Sequence, residues 1–354
     1  MDGVAFRPLT VAAVDRLTDD AVRVTFAVPE GESERYRHLP GQHLVLRHTV
    51  DGQDVRRSYS ICSPAGGTSL QIGIKRLDGG LFSTWANTEL TAGTIIESTP
   101  PTGEFTLRPD PGAANRYVAI AAGSGITPVL SMIATTLRDE PQSEFMLVFG
   151  NRDGRSVMFL DEIDDLKGRY PDRFSITHVL SRETHAIPLF EGRIDGAKIQ
   201  ALFRSVIDPS TISAWFLCGP RGMVEDVRAA LTDAGVDEQT VHDELFYAGG
   251  DGPPDVAIDD TEGSVVRFTL DGRTSEVRVD PEGSPILDHV LSVRPEGPFS
   301  CRSGACASCR ARVISGQVSM DRNWSLNAEE VAAGQILTCQ SHPRSDIVEI
   351  SYDR

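Results

Sequence analysis

The sequence predicts three units in one chain: an antiparallel β-barrel, an α/β doubly wound parallel sheet and a small α+β unit, a multidomain fold. Three observations carry this. Period-two alternation with closely spaced Gly and Pro turns fills residues 1–110; strand-length apolar runs alternate with helix-length stretches over 111–248; and four of the six cysteines crowd the region 263–354.

In the first unit Val22, Val24, Phe26 and Val28 alternate with other residues, as do Leu44 with Leu46 and Leu70 with Ile72 and Ile74. A small barrel closes such strands without leaving an open edge. In the second unit the run Tyr117 to Ala122 enters Gly123-Ser124-Gly125-Ile126-Thr127-Pro128 and then a helical stretch, with Thr127 expected as N-cap and Pro128 as the first helical residue. Apolar runs recur at Phe145 to Phe149, Ile176 to Leu180 and Ala214 to Cys218, the pattern of a parallel sheet covered by helices. Residues 249–262, acidic and aperiodic around Asp251-Gly252-Pro253-Pro254, read as a linker. Beyond them, Val265 to Leu270 with Glu276 to Val279 predicts a hairpin, Ile286 to Val293 a short helix, and Ile347 to Ile350 a closing strand.

Composition excludes several functions. Asp and Glu outnumber Lys and Arg 51 to 34, a net charge of -17, so nucleic acid and anionic lipid are poor partners. No apolar run approaches the roughly 20 residues that span a bilayer. The start Met1-Asp2-Gly3 has neither the basic nor the apolar segment of a secretory signal, so the expected location is cytoplasmic. Six cysteines are too few for a disulfide scaffold; Cys62 and Cys218 stand alone.

The most specific signal is Cys301-x4-Cys306-x2-Cys309 with a distant Cys339, around a loop of mostly small residues. Small residues let backbone N–H groups approach inorganic sulfide, and the spacing resembles that of plant-type ferredoxin, where four thiolates hold a 2Fe-2S cluster. Zinc is the alternative, although its cysteines usually come in two compact pairs. Arg57-Ser58-Tyr59-Ser60 places a cation and an aromatic ring on one strand face, suited to a phosphate and a flat ring; a purely structural strand is the alternative.

Gly123-Ser124-Gly125 feeds a helix N-terminus, where N–H groups and the dipole favour a pyrophosphate, but Pro128 stands where the full fingerprint has its third glycine, leaving a structural turn open. Cys218-Gly219 ends a strand at the edge where open α/β sheets bind ligands, against the alternative of a small buried hydrophobe. Ser181-Arg182 offers donors and a cation for a 2'-phosphate and so favours NADPH; Glu183 argues the other way, for NADH, and Arg152 is a lesser adenine-side candidate.

The order of barrel, Gly-rich strand-to-helix turn and cysteine segment resembles the ferredoxin-NADP reductase superfamily, and in particular oxygenase reductases with a C-terminal plant-type ferredoxin domain, over nearly the whole chain. The resemblance implies that the third unit is a β-grasp ferredoxin-like domain whose Cys301, Cys306, Cys309 and Cys339 ligate a 2Fe-2S cluster. It implies that Arg57 binds the FAD pyrophosphate, Tyr59 stacks on the flavin, and Ser58 and Ser60 contact it, Ser60 near N5. Gly80-Leu81-Phe82-Ser83 looks like the second phosphate contact, through Gly80, Phe82 and Ser83. Phe246 would cover the other flavin face or simply pack in the core. Gly123, Gly125, Thr127, Pro128, Ser181, Arg182, Cys218 and Gly219 would form the nucleotide site, with Cys218 and Ser60 orienting hydride transfer. Electrons would then run from NADPH to FAD to 2Fe-2S to an oxygenase component.

Gly192-Arg193-Ile194-Asp195-Gly196 and Asn323-Trp324-Ser325-Leu326 with Ala332-Ala333-Gly334 narrow the likeness to the group serving bacterial phenylacetyl-CoA epoxidase, which implies a diiron hydroxylase complex as partner. Reductases of 3-ketosteroid 9-alpha-hydroxylase are the nearest competitor. Other classes left open are a flavin/iron-sulfur redox sensor and a zinc protein with a nucleotide fold. His178, His185 and His242 are expected to have no catalytic role. The linker suggests a cluster domain that swings, and Arg302 and Arg310, read as exposed, suggest a docking face.

Overall fold

The computed structural model describes residues 6–245, 263–270, 272–294, 297–299, 302, 304 and 307–353. The first unit runs β1 (Arg7–Thr18), β2 (Ala21–Ala27), β3 (His43–Val50), β4 (Gln53–Ser60), β5 (Leu70–Lys75), α1 (Leu81–Thr88) and β6 (Ile95–Ser98). Alternation drives it: Val22, Val24 and Phe26 turn inward while Arg23 and Thr25 remain partly exposed. All pairings are antiparallel, in the order β4-β3-β6-β1-β2-β5. The ends meet where Ile61, just past β4, bridges Ile72 of β5 and the Cys62 N–H donates to the Gln71 carbonyl at 2.9 Å, closing the barrel. Leu9, Val24, Leu44, Leu46, Ile72 and Ile96 fill it.

The second unit follows as β7 (Arg116–Ala122), α2 (Ile126–Asp139), β8 (Glu144–Asn151), α3 (Leu160–Arg169), β9 (Phe174–Leu180), α4 (Gly196–Ser205), β10 (Ala214–Gly219), α5 (Arg221–Asp233) and β11 (Val241–Leu245). Its sheet is wholly parallel in the order β11-β10-β7-β8-β9. Strands buried on both faces need helices on both: α2 and α3 cover one with Ile126, Val129, Ile133 and Ile163, α4 and α5 the other with Ile199, Leu202, Val224 and Val227. Chain progression reverses between β7 and β10, the crevice in which such sheets bind ligands.

One local expectation needs correction. A 3-10 turn at Gly123–Gly125 starts the helix early, so Gly125, not Thr127, precedes it. Thr127 lies inside the first turn, buried, its hydroxyl donating to the Ser124 carbonyl at 2.9 Å, and Pro128 follows it. The missing proline N–H is harmless there because the first-turn amides have no helical acceptor.

The third unit comprises β12 (Ser264–Leu270), β13 (Arg273–Val279), α6 (Ile286–Val293), β14 (Arg310–Ser315), β15 (Val318–Met320), α7 (Ala328–Ala332), β16 (Gln335–Leu337), β17 (Ser341–Pro343) and β18 (Ile347–Ser351). The last strand does not close an edge. It inserts at the centre of β13-β12-β18-β14-β16, parallel to β12 and antiparallel to β14. Helix α6 lies across this sheet, packing Ile286 and Val290 into the sheet core and Leu287 and Leu291 around Cys309 and Cys339.

Barrel and nucleotide sheet fit closely. A Cβ on Gly73 of β5 would stand 2.8 Å from the Thr127 methyl and 3.0 Å from the Phe159 ring, so glycine is what permits the approach. Ser131 donates to the Ser63 carbonyl at 2.7 Å, and Arg23 pairs with Glu162 across the same seam. Among the described residues no helix is long and apolar enough to cross a membrane.

Candidate flavin, nicotinamide and cluster sites

Strand β4 carries Arg57 and Tyr59 on one face and Arg56, Ser58 and Ser60 on the other. Tyr59 is half-buried and leans on Phe82, ring centroids 5.5 Å apart. Ser60 is buried, and its hydroxyl donates to Glu244 Oε2 at 3.4 Å across 184 residues of sequence. In the β3–β4 ladder Ser60 stands opposite His43, whose Nδ1 is 3.8 Å from Glu244 Oε1. Burial pushes the His43 pKa down to about 4, so the neutral ring makes this a weak polar contact rather than an ion pair.

Two side-chain atoms beside Ser60, Ser58 Oγ and His43 Nε2, are buried without a hydrogen-bond partner among the described residues. Orphans of this kind are costly in a sealed core and fit the polar edge of a bound ring such as a flavin. Sequence reading missed His43 and the carboxylate of Glu244. It weighed His178, His185 and His242, which lie on β9, in the following loop and on β11.

At the switch point, Gly123 has φ +53° and Gly125 lies so near β10 that a Cβ there would come 2.1 Å from the Cys218 carbonyl oxygen. Gly219 is similarly constrained, with Met223 Cε 2.7 Å from its notional Cβ. Cys218 pairs with Glu244 and with Ala121 in the parallel ladders and is fully buried. Burial first, then the Glu244 and Asp243 carboxylates, hold its thiol well above the usual range. It therefore stays a neutral thiol, suited to shaping a pocket and not to attacking a substrate.

Farther along this edge, Asn151 Nδ2 is another buried orphan, and the Ser181 N–H donates to the Asn151 carbonyl at 2.9 Å. The side chains of Ser181 and Arg182 are exposed. Glu183 Oε1 accepts from the Gly154 N–H at 2.7 Å, and Arg152 is drawn away to Asp20 at 2.6 Å.

The expectation for α1 needs revision at two side chains. The Ser83 hydroxyl is buried and already used, accepting from the Leu77 N–H at 3.1 Å and donating to the Gly80 carbonyl at 3.2 Å. Phe82 is 1% exposed within the barrel core. What this segment has to offer an anion is the backbone N–H groups after Gly80, at the helix start.

In the third unit Cys309 and Cys339 are buried, and α6 helps to enclose them. Cys301 and Cys306 lie outside the described residues, as do Phe246 and residues 249–262. In the loop that carries the cysteines, Arg302, Gly304 and Ala307 have φ of 53°, 77° and 52°. Left-handed backbone of this kind is used in the anion-binding concavities of iron-sulfur sites, and in that respect these residues fit a 2Fe-2S cluster. The loop is pinned at the Gly304 carbonyl by the Trp324 N–H at 3.0 Å and the Ser325 hydroxyl at 3.1 Å. Arg302 and Arg310 are not the exposed pair expected: Arg302 binds Asp288, and Arg310 binds Glu330 at 3.0 Å.

The cluster unit also touches the barrel. Arg57 Nη1 donates to Ser308 Oγ at 3.1 Å, beside Cys309, and Arg322 pairs with Glu104 at 2.6 Å.

A closed barrel, a parallel sheet with a glycine-lined switch point, and a β-grasp sheet with a thiol-bearing loop define a modular flavin/iron-sulfur oxidoreductase. The family models agree: oxidoreductase FAD-binding domain over residues 8–107, oxidoreductase NAD-binding domain over 119–229, and 2Fe-2S iron-sulfur cluster binding domain over 268–344. The chain is 40% identical to a component of the 1,2-phenylacetyl-CoA epoxidase of Escherichia coli (strain K12), covering 98% of both chains. It is 34% identical to the 3-ketosteroid-9-alpha-monooxygenase ferredoxin reductase component of Mycobacterium tuberculosis, covering 98% of this chain and 95% of the relative. Phthalate dioxygenase reductase has a similar structure, with a TM-score of 0.56, 25% identity and 98% of each chain covered. The chain belongs to this family of FAD-, NAD- and 2Fe-2S-binding oxygenase reductases, which includes the phenylacetyl-CoA epoxidase component; its members pass electrons from a nicotinamide nucleotide to an oxygenase component.

Proposed function

We propose that this chain draws electrons from NADPH and delivers them, in the cytoplasm, to a diiron hydroxylase complex that epoxidises the ring of phenylacetyl-CoA. The observation that carries the reading is convergence: Ser60 of the barrel meets Glu244 of the nucleotide sheet next to Cys218, while Arg57 of the same barrel strand reaches the loop beside Cys309. A single strand thus borders both a hydride-transfer site and a cluster. Identity of 40% to the epoxidase component against 34% to the ketosteroid component supports the choice of partner.

In this reading the barrel is 1–110, the nucleotide domain 111–248, the linker 249–262 and the cluster domain 263–354. Bound FAD and a 2Fe-2S cluster supply the conversion of one hydride into two single-electron deliveries. The protein supplies position. Arg57 and the N–H groups following Gly80 hold the FAD phosphates, Tyr59 lies against the ring, and Ser58, Ser60 and His43 line its polar edge. Phe246 closes the other face.

Gly123, Gly125 and the start of α2 at Thr127 and Pro128 admit the nucleotide pyrophosphate. Ser181 and Arg182 take its 2'-phosphate, while Cys218 and Gly219 form the wall against which the nicotinamide rests. Ser60, held beside Glu244, would present its hydroxyl to the reacting edge of the flavin. Cys301, Cys306, Cys309 and Cys339 ligate the cluster. The test is reconstitution with candidate oxygenases and NADPH. Epoxide formation from phenylacetyl-CoA is the expected product; turnover with a 3-ketosteroid hydroxylase alone overturns the choice of partner, and protein lacking visible flavin and cluster absorbance overturns the whole reading.

A further inference from the structure

Arg56 is 7% exposed, an unusual state for a guanidinium on the outside of a barrel strand. The other domain supplies two of its hydrogen-bond partners. Nη1 donates to the Ser325 carbonyl at 3.3 Å and Nη2 to Glu330 Oε1 at 2.9 Å, partners more than 260 residues away in sequence, separations of 269 and 274. Both ends are held ready. On the barrel side Asp54 lies 3.4 Å from the same guanidinium and its plane stands over the Phe6 ring at 5.3 Å. On the cluster side Glu330 is fixed at the start of α7 by a reciprocal capping box with Asn327 and by Arg310, the residue that follows Cys309.

The adjacent Arg57 touches Ser308. Two consecutive barrel residues, one of them the flavin-phosphate candidate, therefore set the register between β4 and the cluster loop.

The energetics of such a pair favour orientation over adhesion. Taking both charges out of water costs about what their attraction returns, so a well-made buried pair adds little net affinity, whereas removing one partner strands the other in a dry interface. Undocked, both charges regain water. The contact selects one pose and still permits release.

We propose that Arg56 and Glu330 form an orienting latch that seats the cluster domain against the flavin strand for internal electron transfer and leaves that domain free to depart for the oxygenase. This rests on the function proposed above, for these are positioning residues that act through the pose of the cluster loop. Glu330→Gln is the primary test because glutamine preserves the capping box while removing the charge. Arg56→Lys is the conservative companion.

With flavin and cluster content verified by visible absorbance, amide hydrogen exchange is measured over residues 322–331 and over the barrel core. NADPH oxidation is followed with ferricyanide, which accepts electrons from the flavin, and with cytochrome c, which is reduced through the cluster. In Glu330→Gln, exchange in 322–331 rises and cytochrome c reduction falls about tenfold, while ferricyanide reduction and barrel-core exchange stay within about twofold. Arg56→Lys falls between that variant and the wild type. Unchanged exchange with an unchanged ratio of the two activities overturns the latch, as does a parallel fall of both. Wild-type protein without flavin and cluster sinks the functional reading instead, and the exchange measurement still decides the latch.

Discussion

Ser60, Cys218 and Glu244 occupy the ends of β4, β10 and β11, each side chain aimed by a regular ladder, whereas Cys309 leads into β14 from a loop and Cys339 sits in a 3-10 turn. The flavin–nicotinamide region gathers its groups from distant strands, and hydrogen bonds between domains hold them. The cysteines proposed as cluster ligands come from two short stretches of sequence, with left-handed backbone at Arg302 and Ala307. A hydride-transfer site must fix two rings against each other, so it relies on rigid sheet edges. A cluster's own bonds hold its thiolates together, so a loop suffices provided it can wrap.

The sharpest way to break that comparison is to remove one region's chemistry and watch the other continue. In Cys309→Ser, cluster absorbance is lost and cytochrome c reduction drops by more than about 100-fold, because the one-electron exit is gone. Ferricyanide reduction persists near the wild-type rate. Loss of both activities would show that the cluster domain is needed to assemble the flavin site.

Gly125→Ala attacks the other region. The new methyl meets the Cys218 carbonyl at 2.1 Å, and both partners are backbone, so the nucleotide turn itself must shift. A misplacement of about 1 Å costs on the order of 100-fold in the hydride step. The expected result is that fall in kcat/KM for NADPH, with flavin and cluster spectra retained. Stopped-flow flavin reduction checks it.

What could be read from sequence divides along the same line. Cysteine spacing is legible because a metal site imposes it locally, and the parallel strands are legible because Val118 to Ala122 and Ile176 to Leu180 are strand-length apolar runs. Ser60 with Glu244, and Arg56 with Glu330, are not, since each pairing exists only after domains pack and nothing local to one member points to the other. The same holds for β18, last in sequence yet central in its sheet, and for His43, whose burial comes from the β3–β4 ladder and the nearby Gly103 turn. The misplaced N-cap at Thr127 has a different cause: a glycine at φ +53° lets a 3-10 turn begin the helix before the polar residue that ordinarily marks its start.

Acid reaches His43 and Glu330 in different windows. The folded state lowers His43 to about 4, below its ordinary 6.5, so the unfolded chain binds the extra proton first. Stability from this residue is complete above about pH 6.5 and is lost as pH falls toward 4, amounting to about 3 kcal/mol. Glu330 behaves differently. Burial alone would raise its carboxyl, but the Asn327 amide and the Arg56 and Arg310 guanidiniums outweigh it and hold it below its usual value. Its contribution is present above the unfolded value of 4.5 and is lost only at lower pH. Denaturant titrations between pH 7 and 4 should therefore include a His43 contribution beside those of His38, His178 and His289, which burial also lowers, and His43→Gln should reduce that slope while Glu330→Gln leaves it intact.

The smallest effect concerns nucleotide choice, at the outer edge of the rigid region. Glu183, the carboxylate that would oppose a 2'-phosphate, is engaged by the Gly154 amide, and the rival cation Arg152 is paired with Asp20. Arg182 makes no ion pair among the described residues, and its backbone is anchored by its N–H donating to the Arg152 carbonyl at 2.7 Å. A fixed backbone carrying an exposed cation suits a phosphate that arrives and leaves with each turnover. An exposed charge pair is worth little, so Arg182→Ala should raise KM for NADPH by only about three- to tenfold, leaving kcat and the NADH constants unchanged. Equal losses with both nucleotides would move Arg182 from selecting the 2'-phosphate to supporting the edge of the sheet.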